Sequence, residues 1–421
     1  MARFDGEQEG GESGSIGIRV LLLGNYEYDR QESMQRFARL LATELPAHGV
    51  RVDTVVPPAV FGRLRPATHG LGKWLGYMDK FVLFPPLLRK KIRLARKAAR
   101  FSGEKVVVHI CDHSNSHYSR YLQDTPHVVT CHDLLAVRMA HEEFRPRRTS
   151  LTGKRLQAMI LRGLRQSRRV ACVSEATRRD FLRLTQKPNK QVSLVHNGLN
   201  YPYQPIPKEQ ALARVGELVG TENLKGCRYL LHVGGNHWYK NRLGVLKIYA
   251  AARECSSNLE ESKMKLLMAG PPFTLEMKRF LEQHSVITKD VMALGMIDRT
   301  EDLQALYSGA EMLLFPSIEE GFGWPIIEAQ ASGCRVVTSQ KEPMTEVGGR
   351  AATYIDPPSS LGDYTESSLK MAAKRVLSIL REPPEAKEEY RKAGLSNAAR
   401  FSTNRMVAGY VEVYRQEIVA R

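Results

Sequence analysis

The chain has 421 residues, 43% of them hydrophobic and 25% charged, which argues against a disordered, fibrous or membrane-embedded class and suits two domains. Its formal charge of +17 is uneven: residues 1–200 hold 34 Lys and Arg against 18 Asp and Glu, a net +16, whereas residues 201–421 hold 28 against 27. One half is therefore expected to face something anionic, whether a nucleic acid, an anionic membrane surface or phosphate-bearing small molecules.

Residues 1–15 are acidic and Gly-rich and read as a disordered tail, the opposite of a signal peptide. With no run approaching ~18 apolar residues, neither secretion nor a membrane span is expected. Six cysteines at 111, 131, 172, 227, 255 and 334, without a C-x-x-C pair, read as buried thiols of a reducing, cytoplasmic compartment. An apolar run at 16–24, a helical pattern over 31–48 and a second apolar run at 50–56 make an α/β opening. FVLFPPLL at 81–88 reads as an apolar, hairpin-like segment. It leads into a basic helix in which Leu88, Ile92, Ala95 and Ala99 share one face, beside Arg89, Arg93, Arg96 and Arg100. Interleaved aromatics and nucleic-acid-binding signatures are missing here, so nucleic acid is not the expected partner. Two readings stay open for residues 80–100: docking on an anionic membrane surface, on the inner face of the membrane, or a solvated helix face.

Buried-strand candidates follow at 105–110, 127–131, 169–173 and 191–196, with helical patterns between most of them. A linker rich in Pro, Asn and Tyr covers 197–210, after which strands are expected at 229–233, 265–269, 291–294, 311–315, 335–339 and 352–355. Helices close the chain at about 364–381, 385–399 and 402–420. The expected fold class is α/β, two Rossmann-like doubly wound domains facing a cleft. The expected division is a tail at 1–15, domains at 16–200 and 201–400, and a terminal helix at 401–421 packing back towards the first domain.

The most informative segment is PSIEEGFGWPIIEAQASGCRVVTS, residues 316–339. Gly321 and Gly323 permit a tight turn, Pro325 fits the first turn of a helix, and the helix runs through Glu328 to Ser332. The backbone N–H groups of Gly323 and Trp324, with the helix dipole, are suited to a diphosphate without a metal. Glu320 and Glu328 are poor phosphate ligands and suit sugar or ribose hydroxyls, although a helix cap and a surface residue would also account for them.

The run from Glu320 to Ser339, with seven residues between the glutamates, closely resembles the E-x7-E signature of the retaining glycosyltransferases of family four, which have the two-domain GT-B fold. Further points of resemblance are His132-Asp133-Leu134, Val173-Ser174-Glu175, His196-Asn197-Gly198, Gly234-Gly235, Lys240-Asn241, Met268-Ala269-Gly270-Pro271, Leu294-Gly295 and Glu346-Val347. The resemblance implies a hexosyltransferase of polysaccharide biosynthesis. Its donor is a nucleotide sugar, a UDP- or GDP-sugar; its acceptor is a glycan or lipid-linked; no cofactor or metal is implied. Glu320 would contact the transferred sugar, Lys240 the diphosphate and Glu328 the ribose, with His132 pointing at the sugar. Gly235, Asn241, Gly270, Gly321, Phe322, Gly323 and Trp324 would line the donor, and Met296 and Ile297 would face the base. Gly24 and Asn25, ending the first strand, would lie on the acceptor side.

In the family an Arg usually precedes the Lys-Asn pair, where this chain has Tyr239; Lys240 with backbone amides, Asn236, His237 or a basic residue elsewhere would supply the missing charge. The alternative reading of His132 is a histidine satisfying a strand-end carbonyl. His109, His113 and His117 recur every four residues but span a strand end and a loop, which reads against a metal site. A GT-B epimerase or phosphorylase, or a non-catalytic nucleotide-sugar-binding protein, are the alternatives to a transferase.

Overall fold

The computed structural model describes residues 17–29, 31–65, 70–224, 227–256 and 263–420; the expected tail at 1–15 lies outside them. Two six-stranded parallel sheets carry the chain. The first contains β1 (Ile18–Leu23), β2 (Val50–Val55), β3 (Lys105–Ile110), β4 (His127–Cys131), β5 (Arg169–Cys172) and β6 (Val192–Leu194) in the order β2-β1-β3-β4-β5-β6. The second contains β7 (Tyr229–Val233), β8 (Lys265–Ala269), β9 (Val291–Gly295), β10 (Met312–Phe315), β11 (Val336–Ser339) and β12 (Ala352–Ile355) in the order β12-β11-β10-β7-β8-β9.

The strands read as unbroken apolar runs because helices cover both faces of each sheet. Successive side chains of β1 point to opposite faces. Leu21 and Leu23 join a core with Phe84, Leu88 and Ile92, while Ile18, Val20 and Leu22 join another with Phe37, Tyr410 and Tyr414. Each such burial contributes roughly 1.5–3 kcal/mol before the entropy cost of ordering the chain.

That second core places the terminal helix Thr403–Val419 on the first sheet. The Tyr414 hydroxyl lies 2.7 Å from His109 Nδ1, His109 Nε2 lies 2.7 Å from Thr130 Oγ1, and Tyr410 lies 2.9 Å from the same Thr130 oxygen. His109 is thus a core residue, its pKa lowered to about 3 by burial.

The segment at 81–88 is helical rather than hairpin-like. Helix Gly70–Met78 passes through a π-helical turn, Asp79–Leu83, into helix Phe84–Ser102. Pro85 and Pro86 fall in the first turn of that helix, where a missing N–H costs nothing. Leu88, Ile92, Ala95 and Ala99 pack inward, so the apolar face of the basic helix belongs to the core. Its basic residues do not all project freely: Arg89 stacks on Tyr121 at 4.9 Å and Arg96 bonds Thr125 Oγ1 at 2.7 Å.

Candidate functional site

The order of the second sheet reverses between β7 and β10, and ligands of such sheets bind in the crevice outside the strand ends at that point. The loops after these two strands carry Lys240 and Glu320. Lys240 Nζ lies 2.8 and 2.9 Å from the carboxylate oxygens of Glu320, and Ser317 Oγ donates to one of them at 2.8 Å. Asn241, in the left-handed conformation at φ 51°, ties the loops together: Nδ2 donates to the Pro316 carbonyl at 3.0 Å, while Oδ1 caps the next helix at Gly244 N, 3.2 Å.

The sequence Gly-Phe-Gly-Trp-Pro folds as its composition dictates. Gly323 adopts φ 104° and caps helix Trp324–Ala331, with Pro325 in its first turn. Gly321 answers a different constraint: a Cβ there would lie 2.0 Å from the His132 carbonyl oxygen. Phe322 and Trp324 commit their side chains to the seam between domains, against Phe401 at 5.7 Å and the Gly198 carbonyl at 3.1 Å. What they can offer a ligand is main-chain N–H.

Glu328 lies just over one turn into that helix and is only 6% exposed. Burial raises its pKa to about 7, against the opposing pull of the Tyr307 hydroxyl at 2.9 Å and of the Arg36 and Lys240 charges. A carboxylate this poorly solvated lacks partners that a ligand's hydroxyls could supply. On the other wall, Gly270 (φ 141°) leaves no room for a side chain, since a Cβ would sit 2.1 Å from the Gly234 carbonyl oxygen. Beyond it Met296 is 60% exposed and Ile297 half-buried, while a Cβ at Gly235 would touch only His237, at 3.5 Å.

Two family models match this chain: Glycosyltransferase Family 4 over residues 34–201 and Glycosyl transferases group 1 over residues 227–373. The chain belongs to the GT-B glycosyltransferases of family four. Among curated relatives of the family, O-antigen chain mannosyltransferase B of Escherichia coli is 23% identical over 265 residues, 62% of this chain and 64% of that protein, so the chain spans just under two thirds of its length. Alpha-maltose-1-phosphate synthase of Mycolicibacterium smegmatis is 26% identical over 71% of this chain and 75% of its own. The family fold recurs in the crystal structure of the Anabaena protein HepE in complex with UDP and glucose. It shares 16% identity at a TM-score of 0.61, over 94% of this chain and 98% of that one.

Against the family pattern, the position of Tyr239 is informative. Its ring stacks on His237 (5.3 Å, 4° between planes) and lies 5.5 Å from Lys240 Nζ; burial and the nearby Glu320 push its phenol well up, so it remains neutral. A second basic residue, Arg242, stands two residues beyond Lys240. It is buried, donates to the Pro271 carbonyl at 2.7 Å and to Asn236 Oδ1, and leaves Nε and Nη2 without partners.

One ring nitrogen of His132 satisfies a strand-end carbonyl and the other is left without a partner. Nε2 bonds the Cys111 carbonyl at 2.9 Å, Nδ1 is buried without a partner, and burial lowers its pKa. After the first strand, Asn25 Nδ2 donates to Asp112 Oδ2 at 2.6 Å, and a Cβ at Gly24 would meet Val56 at 3.1 Å. Two residues carry no local signal in the sequence: Arg36 and Arg242 reach the site from the first domain and from just beyond the lysine, whereas Tyr307, which reaches it from another helix, lies in the run Leu306-Tyr307-Ser308-Gly309-Ala310 that also resembles the family. His196, Glu175 and Glu346, singled out by the motif resemblance, form the seam instead: the Glu346 carboxylate accepts the Glu175 N–H at 3.0 Å and lies 2.6 Å from His196 Nε2.

Proposed function

We propose that the chain transfers a hexose from a UDP- or GDP-sugar to a glycan or lipid-linked acceptor, with retention and without a metal. The observation that carries this is the Lys240–Glu320 pair at the switch point of the second sheet, with the buried Glu328 further into the same motif. A donor diphosphate entering beside the N-terminus of helix Trp324–Ala331 would take over Lys240, and Glu320, released, would accept hydroxyls of the sugar. Glu328 would accept the ribose hydroxyls in place of lost water. As the bond from sugar C1 to the diphosphate oxygen breaks, charge grows where Lys240 and the helix terminus are already placed. The acceptor oxygen then bonds C1 on the same face and its proton passes to the departing diphosphate.

The relatives support the donor class: the E. coli protein is named a mannosyltransferase, and the Anabaena structure holds UDP and glucose. Calorimetric titration tests the binding half of the reading. UDP or GDP is expected to bind the unaltered protein and to bind Glu328→Ala about ten- to a hundredfold more weakly, the loss of ~1.5–3 kcal/mol for a hydrogen bond to a charged group. Binding of neither nucleotide would contradict it.

The acceptor is read as membrane-associated, the protein docking peripherally on an anionic, inner leaflet. Among the described residues no helix is long and apolar enough to cross a membrane. Helix Gly70–Met78 and its continuation expose Leu71, Trp74, Met78 and Val82, three or four residues apart, next to exposed Lys90, Lys91, Arg93, Lys97 and Arg100. An apolar stripe beside a basic one fits an anionic leaflet, each cation near it contributing about 1 kcal/mol.

A further inference from the structure

The first sheet has a switch point of its own. β2 lies on one side of β1 and β3 on the other, so a crevice opens outside the carboxyl ends of β1 and β3. A cavity of about 250 Å³ occupies it, lined by residues that follow these strands and by the inner face of the helix over 70–83.

Four tyrosine and phenylalanine rings line it: Tyr26, Tyr28, Tyr77 and Phe81. Tyr26 is fixed by its hydroxyl, which donates at 2.7 Å to Asp79, a fully buried carboxylate that also accepts the N–H of Phe61 and Gly62 at 2.9 Å. Gly62 and Gly76 make room for that ring: a Cβ at either would lie 1.9 Å from its hydroxyl oxygen or 3.1 Å from its edge. His117 lies 4.8 Å from Phe81 with the rings tilted by 38°, is 5% exposed, and faces the Ser114 backbone without a well-formed hydrogen bond from either ring nitrogen. Burial lowers its pKa to about 4, so it is neutral, with one N–H to donate and one lone pair to accept. Arg65, Lys73 and Lys80 line the same cavity against one carboxylate, Asp29, which Lys80 already holds at 2.8 Å. Asn115, on the cavity wall, donates to Asn25 Oδ1 at 3.2 Å, and Asn25 donates to Asp112, the neighbour of the Cys111 carbonyl that holds His132. Hydrogen bonds thus link the cavity wall to the loop that holds His132.

Resting on the transferase reading above, we propose that this cavity is the acceptor subsite and that it takes a phosphate-bearing sugar. The rings pack on the sugar, His117 binds a hydroxyl, and Arg65 with Lys73 binds the phosphate. Because the outer face of the same helix is the apolar stripe of Leu71, Trp74, Met78 and Val82, a phosphate that also carries a lipid is accommodated without leaving the leaflet.

Titration monitored by ligand-observed NMR tests this with methyl α-mannoside, α-mannose 1-phosphate and the octyl ester of that phosphate. Both phosphates are expected to bind at least tenfold more tightly than the methyl glycoside, and the preference to vanish in Arg65→Ser/Lys73→Ser, two surface positions whose melting temperature verifies the fold. His117→Phe is expected to weaken all three probes. Tighter binding of the octyl ester assigns the phosphate to a lipid head, and equal binding assigns it to a soluble sugar phosphate. Equal binding of phosphate and methyl glycoside, no binding, or an unchanged preference in the double variant overturns the subsite. UDP and GDP titrated into the unaltered protein separate the two ideas: nucleotide binding without phosphate preference overturns the subsite alone, whereas absence of nucleotide binding overturns the transferase reading and the subsite with it.

Discussion

Lys240 and Glu320 hold each other across the crevice between the two loops, both carboxylate oxygens within 2.9 Å of one ammonium, and Glu320 is buried. Removing the cation alone strands a buried charge. Lys240→Ala is therefore expected to destabilise the protein by ~3 kcal/mol. Lys240→Ala/Glu320→Gln should regain most of that stability without regaining activity. Chemical denaturation beside a transferase assay checks both halves; a double variant no more stable than Lys240→Ala would contradict the pairing.

Glu328 ties stability to pH. Its pKa rises from an unfolded value near 4.5 to about 7 in the folded chain, so the folded state binds the proton more tightly. Stability from this group is fully present below about 4.5 and is lost as pH rises through about 7. Glu328→Gln, which keeps an acceptor for Tyr307, should gain on the unaltered protein between pH 5 and pH 8, by an amount on the order of 3 kcal/mol. Melting curves across that range decide it; a gap independent of pH would place the titration elsewhere.

Gly321 marks where the domains touch. A methyl group there would press on the His132 carbonyl oxygen at 2.0 Å, and Ser174 Oγ already donates to the Gly321 carbonyl at 2.7 Å. Gly321→Ala is expected to force this contact open, costing ~1–3 kcal/mol of stability. Turnover should fall more than nucleotide affinity, since Lys240 and Glu328 remain in place. Equal losses in both would show that the residue serves the donor site itself.

The basic surface should read out as salt-dependent docking. Flotation with anionic vesicles at low salt is expected to carry the protein up, high salt to release it, and neutral vesicles to leave it behind. Lys90, Arg93, Lys97 and Arg100 changed together to Ser should abolish flotation, and Trp74→Ser should weaken it. Equal partition onto neutral and anionic vesicles would contradict an electrostatic dock.

Much of this architecture is legible in the sequence because both faces of each sheet are covered: runs such as KVVVHI at 105–110 and YLLHV at 229–233 are strands with those bounds. The donor motif is legible because its glycines and its proline act locally: Pro325 opens the helix and Gly323 supplies the positive φ. The Pro-Pro pair at 85–86 misleads, since the same residues that end a strand also start a helix, and only the helix over 70–83 reveals which. Arg242 is illegible for another reason. Its placement at Pro271, like the contact of Tyr307 with Glu328, depends on how distant segments meet, which no spacing along the chain encodes.

The most direct test of the donor site is release of nucleoside diphosphate from a panel of UDP- and GDP-sugars, followed with an acceptor present and EDTA added. We expect release from at least one donor, undiminished by the chelator and reduced at least tenfold in Lys240→Ala. Release abolished by EDTA and restored by a divalent cation, or release untouched by loss of Lys240, would contradict a diphosphate held by that lysine and the helix terminus.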